Sequence, residues 1–350
     1  STTSEYTGDW SWTVAGVKLV SLGFSVPPLS YTQEQIFDAT EYPAVFRRVF
    51  TQSGISKRHL WIAPDKLKGL SWQELTQEFL EGQKALSRES IRKCMEGRDL
   101  KDIGCVVHVS CTGYTCPSPL HHLAPELGLK PDIHMTAIQG MGCGAGFPGL
   151  LRAYEHVKVW GSQALIVDTE ICSATYYPDD GKHPDPSNKF EMLRTNAIFA
   201  DASVSVLVGQ DDDPRHPEIL DFESCTNSEY IDHLGYVWRD WRLRCLLAPD
   251  VPDLAPLVAA PAIRRLLGRN GLALSEIDHW VIHAAGSIVF DNIRDALELP
   301  EECFTLSRET LSLYGNTSST SVGITAKRLM QSGKVKQGDY VAMVTIEPGM

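Results

Sequence analysis

Hydrophobic and polar positions along the chain switch repeatedly between the period of a strand and that of a helix. Val14–Leu22 mixes Ala, Val and Leu with Gly and reads as a strand. Thr32–Phe37 opens a helix, with Thr32 as N-cap candidate and Gln35 three residues on. Trp72–Met95 is a long amphipathic helix. Cys105–Val109 and Ala164–Val167 are short apolar runs suited to strands buried on both faces. Ala202–Val208 alternates and is rich in β-branched residues, a further strand. Gly146–Val157 reads as a helix with Pro148 in its first turn. Gln210–Glu218 carries three Asp, two Pro and an Arg-His pair and reads as a surface connection. We place the boundary between two units there, 1–212 and 213–350. The second half echoes the first: Leu100–Ile103 precedes Cys105–Val109, and Leu274–Ile277 precedes Trp280–Ile282. The pattern predicts an α/β fold of two similar halves, with helices on both faces of mainly parallel sheet.

Composition narrows the function classes. The chain has 350 residues, 43% of them hydrophobic, enough for a large core or two ordinary ones. Its formal net charge of −12 argues against nucleic acid and anionic membranes as partners. No apolar run nears the ~18 residues that suggest a membrane span, and Ser1–Asp9 lacks the charged-then-apolar order of a signal peptide. Nine cysteines at irregular spacing, with no Cys-x-x-Cys, point to a reducing, cytoplasmic setting and to no metal site.

Three constellations carry chemistry. Cys143 stands in Gln139-Gly-Met-Gly-Cys-Gly-Ala-Gly146, before a helical segment. Glycines on both sides let the chain turn sharply enough to lift a thiol into a cleft, and a helix N-terminus favours a thiolate. A structural cysteine in a tight turn is the competing reading. His283 ends the strand-like Trp280-Val-Ile, where α/β sheets present functional groups. It is a candidate to accept the thiol proton and to bond a developing oxyanion, or a core histidine. Asn316 stands in Tyr-Gly-Asn-Thr-Ser-Ser before a helical segment. It is a turn residue, or a donor to a thioester carbonyl.

These motifs, in this order, resemble the Cys-His-Asn set of the type III (chalcone synthase-like) polyketide synthases of the thiolase superfamily. The resemblance spans nearly the whole chain. It takes in Phe199-Ala-Asp201 with Phe199 as a gatekeeper aromatic, Leu246–Pro252, Glu347-Pro-Gly349 and Ile55-Ser-Lys57-Arg58. It implies a homodimer with the layered αβαβα thiolase fold. Cys143 takes an acyl group from a thioester, and His283 keeps the sulfur as thiolate. His283 and Asn316 then hold the extender carbonyl during Claisen attack. No resident cofactor is implied, since the substrates arrive as thioesters on coenzyme A or on the phosphopantetheine of an acyl carrier protein. Lys57 and Arg58 correspond to a basic stretch that contacts coenzyme A phosphates. Cys111, Thr112 and Cys116 correspond to pocket-lining positions, with Cys116 at the dimer interface.

Two residues depart from the family pattern. Glu347 replaces a glycine of a Gly-Pro-Gly loop, and Arg244 stands near a second gatekeeper Phe. A partly buried carboxylate suits proton removal from a β-ketoacyl thioester, which a malonyl extender does not need. Glu347 is therefore a candidate general base for joining two β-ketoacyl chains into an α-pyrone; a solvent-facing loop residue is the other reading. The alternatives are a ketoacyl synthase III-like initiator, less favoured because His283 is followed by Ala-Ala-Gly, and an iterative malonyl-using synthase. A silent scaffold and a cysteine hydrolase differ in whether and how long an acyl adduct persists.

Overall fold

The computed structural model describes residues 16–40, 42–176, 186–239 and 242–349. In chain order the first half runs β1 (Lys18–Ser25), β2 (Ser30–Thr32), α1 (Gln33–Asp38), α2 (Arg47–Thr51), β3 (Lys57–His59), α3 (Trp72–Cys94), β4 (Ile103–Val109), α4 (Pro119–Leu127), β5 (His134–Ile138), α5 (Gly146–Trp160), β6 (Gln163–Glu170), α6 (Pro186–Ile198) and β7 (Ala202–Gly209). The second runs β8 (Leu234–Arg239), β9 (Arg242–Leu247), α7 (Val251–Arg269), β10 (His279–Ile282), α8 (Ser287–Leu297), α9 (Thr305–Tyr314), α10 (Thr320–Gln331) and β11 (Val341–Val344).

The main sheet has the order β1-β7-β6-β4-β5. Its inner pairs β4–β5 and β4–β6 are parallel, whereas β7 runs antiparallel to both β6 and β1. The apolar run of β4 is buried on both faces, as its unbroken pattern predicts. Val106 packs with Ile91 of α3 on one face, while Val107 packs with Ala153 and Val157 of α5 on the other. Helix α10 lies beside α5 and carries Val322 and Ile324 against Leu22, Val204 and Val281. Beyond it, β10 pairs in parallel with β11, and α7 and α8 cover them through Ile263, Phe290 and Ile293. The layers are therefore helix, sheet, helix, sheet, helix, with α5 and α10 in the centre.

Local signals place most elements. Thr32 and Gln35 form the capping box of α1, and Ser71 and Glu74 form that of α3. The echo between halves is structural: a 3₁₀ turn at Leu100–Asp102 links α3 to β4, and one at Leu274–Glu276 links α7 to β10. One expectation needs correction. The first strand runs from Lys18 to Ser25 rather than ending at Leu22, because pairing with β7 extends to Ser25 opposite Ser203, and Val14 and Ala15 of the expected strand lie outside the described residues. The 210–218 connection stays at the surface, with none of its residues buried. It turns back onto the edge of β1, where Leu19 N donates to Pro217 O and Ile219 N to Val17 O. That pairing satisfies backbone groups the sheet edge would otherwise leave open.

Candidate active site

The chain leaves β5, passes Gly140 and Gly142 at positive φ (78° and 58°), and makes a 3₁₀ turn over Gly142–Gly144 before α5 begins. The turn places Cys143 at the base of α5, buried at 8% exposure. A side chain at position 142 would collide with the ring of Pro348, and one at 144 with the carboxylate of Glu347. Both glycines are thus needed for the loop after β11 to close over the cysteine. Thr345 fastens that loop by donating from Oγ1 to Cys143 O at 3.1 Å.

His283 follows β10, with its N–H bonded to Val344 O at 2.8 Å, so the β10–β11 ladder fixes its backbone. Its Nδ1 lies 2.5 Å from Ser321 Oγ. That oxygen also accepts from Ala284 N at 3.3 Å, and giving its own hydrogen to Nδ1 uses both the donor and the acceptor capacity of the hydroxyl. The network thereby assigns the imidazole hydrogen to Nε2. Burial holds the imidazole pKa down at about 4, so the ring is neutral near pH 7. Asn316 is held from both sides by backbone: its N–H donates to Ile198 O at 2.9 Å, and its C=O accepts from Ala200 N at 2.8 Å. Its amide oxygen accepts from Ser318 N at 2.9 Å, and its amide nitrogen donates one hydrogen to Ala285 O at 3.3 Å.

Cys143, His283, Asn316 and Phe199 line one open cavity, walled by Ile198, Leu234, Leu247, Val251 and Ile346. Arg48 and Arg194 also line it. Phe199 packs with Cys143, Cys172 and Cys245. A narrower apolar crevice lies on the other side of Cys143, with Asp168 and Ser319 in its wall.

Behind the cysteine sits a buried acidic pair. Glu170 accepts from Cys111 N (3.0 Å), Thr112 N (3.1 Å), Thr112 Oγ1 (2.8 Å) and Ser319 Oγ (2.9 Å). Ser319 Oγ is also 2.7 Å from Asp168 Oδ1. One hydroxyl hydrogen cannot serve both acids, so the arrangement closes when Asp168 is protonated and donates to Ser319. Burial, then repulsion from Glu170, pushes the Asp168 carboxyl well above the usual range. Burial pushes the Cys143 thiol up to about 12; the Ser318 hydroxyl opposes this, while Glu170, Glu347 and Asp168 add to it. Burial and these acids therefore work against the thiolate that the α5 N-terminus favours.

Other candidates from sequence fall in varied places. Glu347 is half-buried against Gly144, and burial raises its carboxyl to about 6. Cys111 and Thr112 are buried beside the chamber rather than lining it: Cys111 Sγ donates to Gly142 O at 3.5 Å, and Thr112 holds Glu170. Cys116 is exposed and lines neither cavity. Arg244 is buried but is also absent from both linings, because strand alternation turns it away when Cys245 faces Cys143. Lys57 is exposed. Arg58 is fully buried, so it does not reach a cofactor phosphate at the surface. Sequence reasoning missed Asp168, Glu170, Ser318 and Ser321, whose only signal was an acidic pair in a buried strand and a run of hydroxyl residues after Asn316. It also missed Arg48, one helical turn before the loop that leads to Lys57.

Residues 29–212 match the family described as chalcone and stilbene synthases, N-terminal domain, and 267–350 match the C-terminal domain of 3-oxoacyl-[acyl-carrier-protein] synthase III. The chain is 29% identical to 3,5-dihydroxyphenylacetyl-CoA synthase of Streptomyces toyocaensis, over 95% of this chain and 87% of that protein. It is 27% identical to 1,3,6,8-tetrahydroxynaphthalene synthase of Streptomyces coelicolor, over 93% and 88%. The crystal structure of that naphthalene synthase superposes with a TM-score of 0.79 at 25% identity, covering 93% of both chains. The type III polyketide synthase domain of Steely1 from Dictyostelium gives 0.85 at 21% identity, covering 95% of this chain and 96% of that one, and shares the fold. The chain thus belongs to the chalcone and stilbene synthase family and is a type III polyketide synthase of thiolase fold, a carbon–carbon bond-forming acyltransferase.

Proposed function

We propose that Cys143 accepts an acyl group from a coenzyme A thioester and that the bound chain is extended by Claisen attack of a malonyl-derived enolate. The observation that carries this reading is the convergence of Cys143, His283 and Asn316 on one cavity walled by apolar side chains and Phe199. The Cys143 sulfur forms the new thioester, and its proton leaves on the carrier sulfur, which is released as the coenzyme A thiol. The neutral Nε2–H of His283 and the second amide hydrogen of Asn316 donate to the extender's carbonyl oxygen, where charge collects as carbon dioxide departs. The enolate carbon then attacks the Cys143 thioester carbonyl and displaces the Cys143 thiolate, leaving the extended β-ketoacyl chain on the coenzyme A of the extender. Arg48, exposed at the cavity, takes over the phosphate contact first expected of Arg58. The products named for the relatives, tetrahydroxynaphthalene and 3,5-dihydroxyphenylacetyl-CoA, support an iterative malonyl-using synthase that closes an aromatic ring. The working unit is a homodimer in the cytoplasm, with Cys116 as the candidate interface residue.

A second reading rests on Glu347, whose half-buried carboxyl is raised to about 6 beside the turn that holds Cys143. It would remove a proton from the activated carbon of a β-ketoacyl thioester, so that two chains join into an α-pyrone. Intact-protein mass spectrometry with a panel of acyl thioesters, followed by malonyl-CoA or a β-ketoacyl thioester, tests both. A stable adduct on Cys143 that is consumed only with malonyl-CoA supports the first, and one consumed only with the β-ketoacyl thioester supports the second. Absence of an adduct, or full turnover in Cys143→Ser, defeats both.

A further inference from the structure

Arg58 is a buried cation to which no carboxylate hydrogen-bonds among the described residues, although Asp201 acts on its charge. Its Nε donates to Gln33 Oε1 at 2.9 Å, and Nη1 donates to Asn196 O at 2.7 Å and Phe199 O at 2.9 Å. The Tyr176 hydroxyl bonds Nη1 and reaches the same two carbonyls at 3.0 Å each. These carbonyls lie at the C-terminus of α6, where a helix leaves acceptors unpaired and carries partial negative charge. The guanidinium is therefore a C-terminal cap: burial disfavours its charge, while Tyr176, the buried Asp201 and the partial charge of the helix end favour it.

The capped segment is the one that holds the active site together. Ile198 O and Ala200 N form the two bonds to the backbone of Asn316, on either side of Phe199. From the other direction, the Arg58 stem packs under Gly315, the residue before Asn316. A Cβ at 315 would come within 2.7 Å of Arg58 Cγ, and Gly315 has φ 75°, a conformation that favours glycine. Arg58 thus touches both backbone segments that bracket Asn316 and Phe199.

We propose that Arg58 is the positioning residue for Asn316: it fixes the backbone bridge between Asn316 and the Phe199 segment so that the Asn316 amide meets the extender carbonyl. This rests on the role given to Asn316 above. It predicts a split between the two half-reactions. Acylation of Cys143 does not use Asn316, whereas decarboxylation and condensation do.

The test compares Arg58→Met, Arg58→Lys, Asn316→Ala and the Arg58→Met/Asn316→Ala double variant. Adduct formation on Cys143 is followed by mass, and condensation by product release from malonyl-CoA. Arg58→Met should acylate within about threefold of the parent but condense about 10- to 100-fold more slowly, the scale of a misplaced catalytic group. Lysine keeps the charge but not the planar fork, so Arg58→Lys should stay nearer to Met than to the parent. The double variant should condense no more slowly than Asn316→Ala alone, because Arg58 acts through that residue. If Arg58→Met does not fold, two other variants should show the same split with smaller losses: Tyr176→Phe, which removes the hydroxyl shared by Nη1 and the two carbonyls, and Gln33→Met, which removes the Nε bond together with the Gln33 bonds to Phe50 O, Ser53 Oγ and Ala197 O. Parallel loss of both half-reactions, additive loss in the double variant, or unchanged condensation overturns the proposal. A parental condensation rate in Asn316→Ala overturns the site reading and this proposal with it; loss there with Arg58→Met unaffected overturns this proposal alone.

Discussion

The hydroxyl of Ser318 lies 3.6 Å from the sulfur of Cys143 and also 3.4 Å from Glu170 Oε1. Ser318 reaches this position with φ 55°, a strained backbone for a residue with a side chain. Its hydrogen has two acceptors, and the bond to the sulfur favours the thiolate. Removing it leaves the thiolate without the bond that opposes burial. Ser318→Ala should therefore slow alkylation of Cys143 by iodoacetamide about two- to tenfold at pH 8, the worth of one such bond, and shift the pH–rate profile upward. An unchanged profile would show that the contact does not act on the thiol.

Asp168 yields a stability prediction with a definite sign. Its folded-state pKa stands well above that of the unfolded chain. Between those two values the folded state holds a proton that the unfolded state has lost, so stability falls as pH rises through that window. Asparagine keeps the shape without the titration. Asp168→Asn should match the parent near pH 4 and exceed its melting temperature at pH 8, with the gap widening as pH rises. Thermal melts at both pH values check this, and a constant gap would contradict it.

Glu347→Gln separates the two functional readings. Its carboxylate is among the charges that raise the Cys143 thiol, so the amide should speed alkylation of the free enzyme at pH 7. If Glu347 is a base, turnover of β-ketoacyl thioesters should fall about 10²- to 10⁴-fold, with loss of the limb near pH 6. Malonyl-dependent turnover should change only a few-fold. Equal loss on both substrates, or none on either, removes the base.

Arg48 and Arg47 are neighbours with different prospects. Arg47 is taken up by Glu34 and Asp38, whereas Arg48 lines the cavity. Arg48→Ala should raise KM for acyl-coenzyme A about three- to tenfold with little change in kcat. With N-acetylcysteamine thioesters, which carry no phosphate, KM should not move. A similar rise for both substrates would assign Arg48 to chain or pocket binding instead.

Much of the site was legible in the order of residues because its signals are local. Glycines at 142 and 144 are demanded by a turn and by the two side chains that press on it, so Cys143 stood out from eight other cysteines. His283 ends an apolar run, and Asn316 precedes a helix. Capping boxes and apolar periods located α1, α3, β4 and β6 for the same reason: each depends on contacts a few residues apart.

The fate of a side chain that meets distant segments was decided only in three dimensions. Arg58 reads as part of a basic stretch that contacts coenzyme A phosphates, yet Gln33, Tyr176 and the end of α6 enclose it. Arg244 reads as a chamber residue, but the pleat gives that side to Cys245. Asp168 and Glu170 become one proton-sharing pair because Ser319, some 150 positions away, stands between them. Burial and charge sum over every neighbour in space, whereas spacing along the chain records only those nearby in sequence.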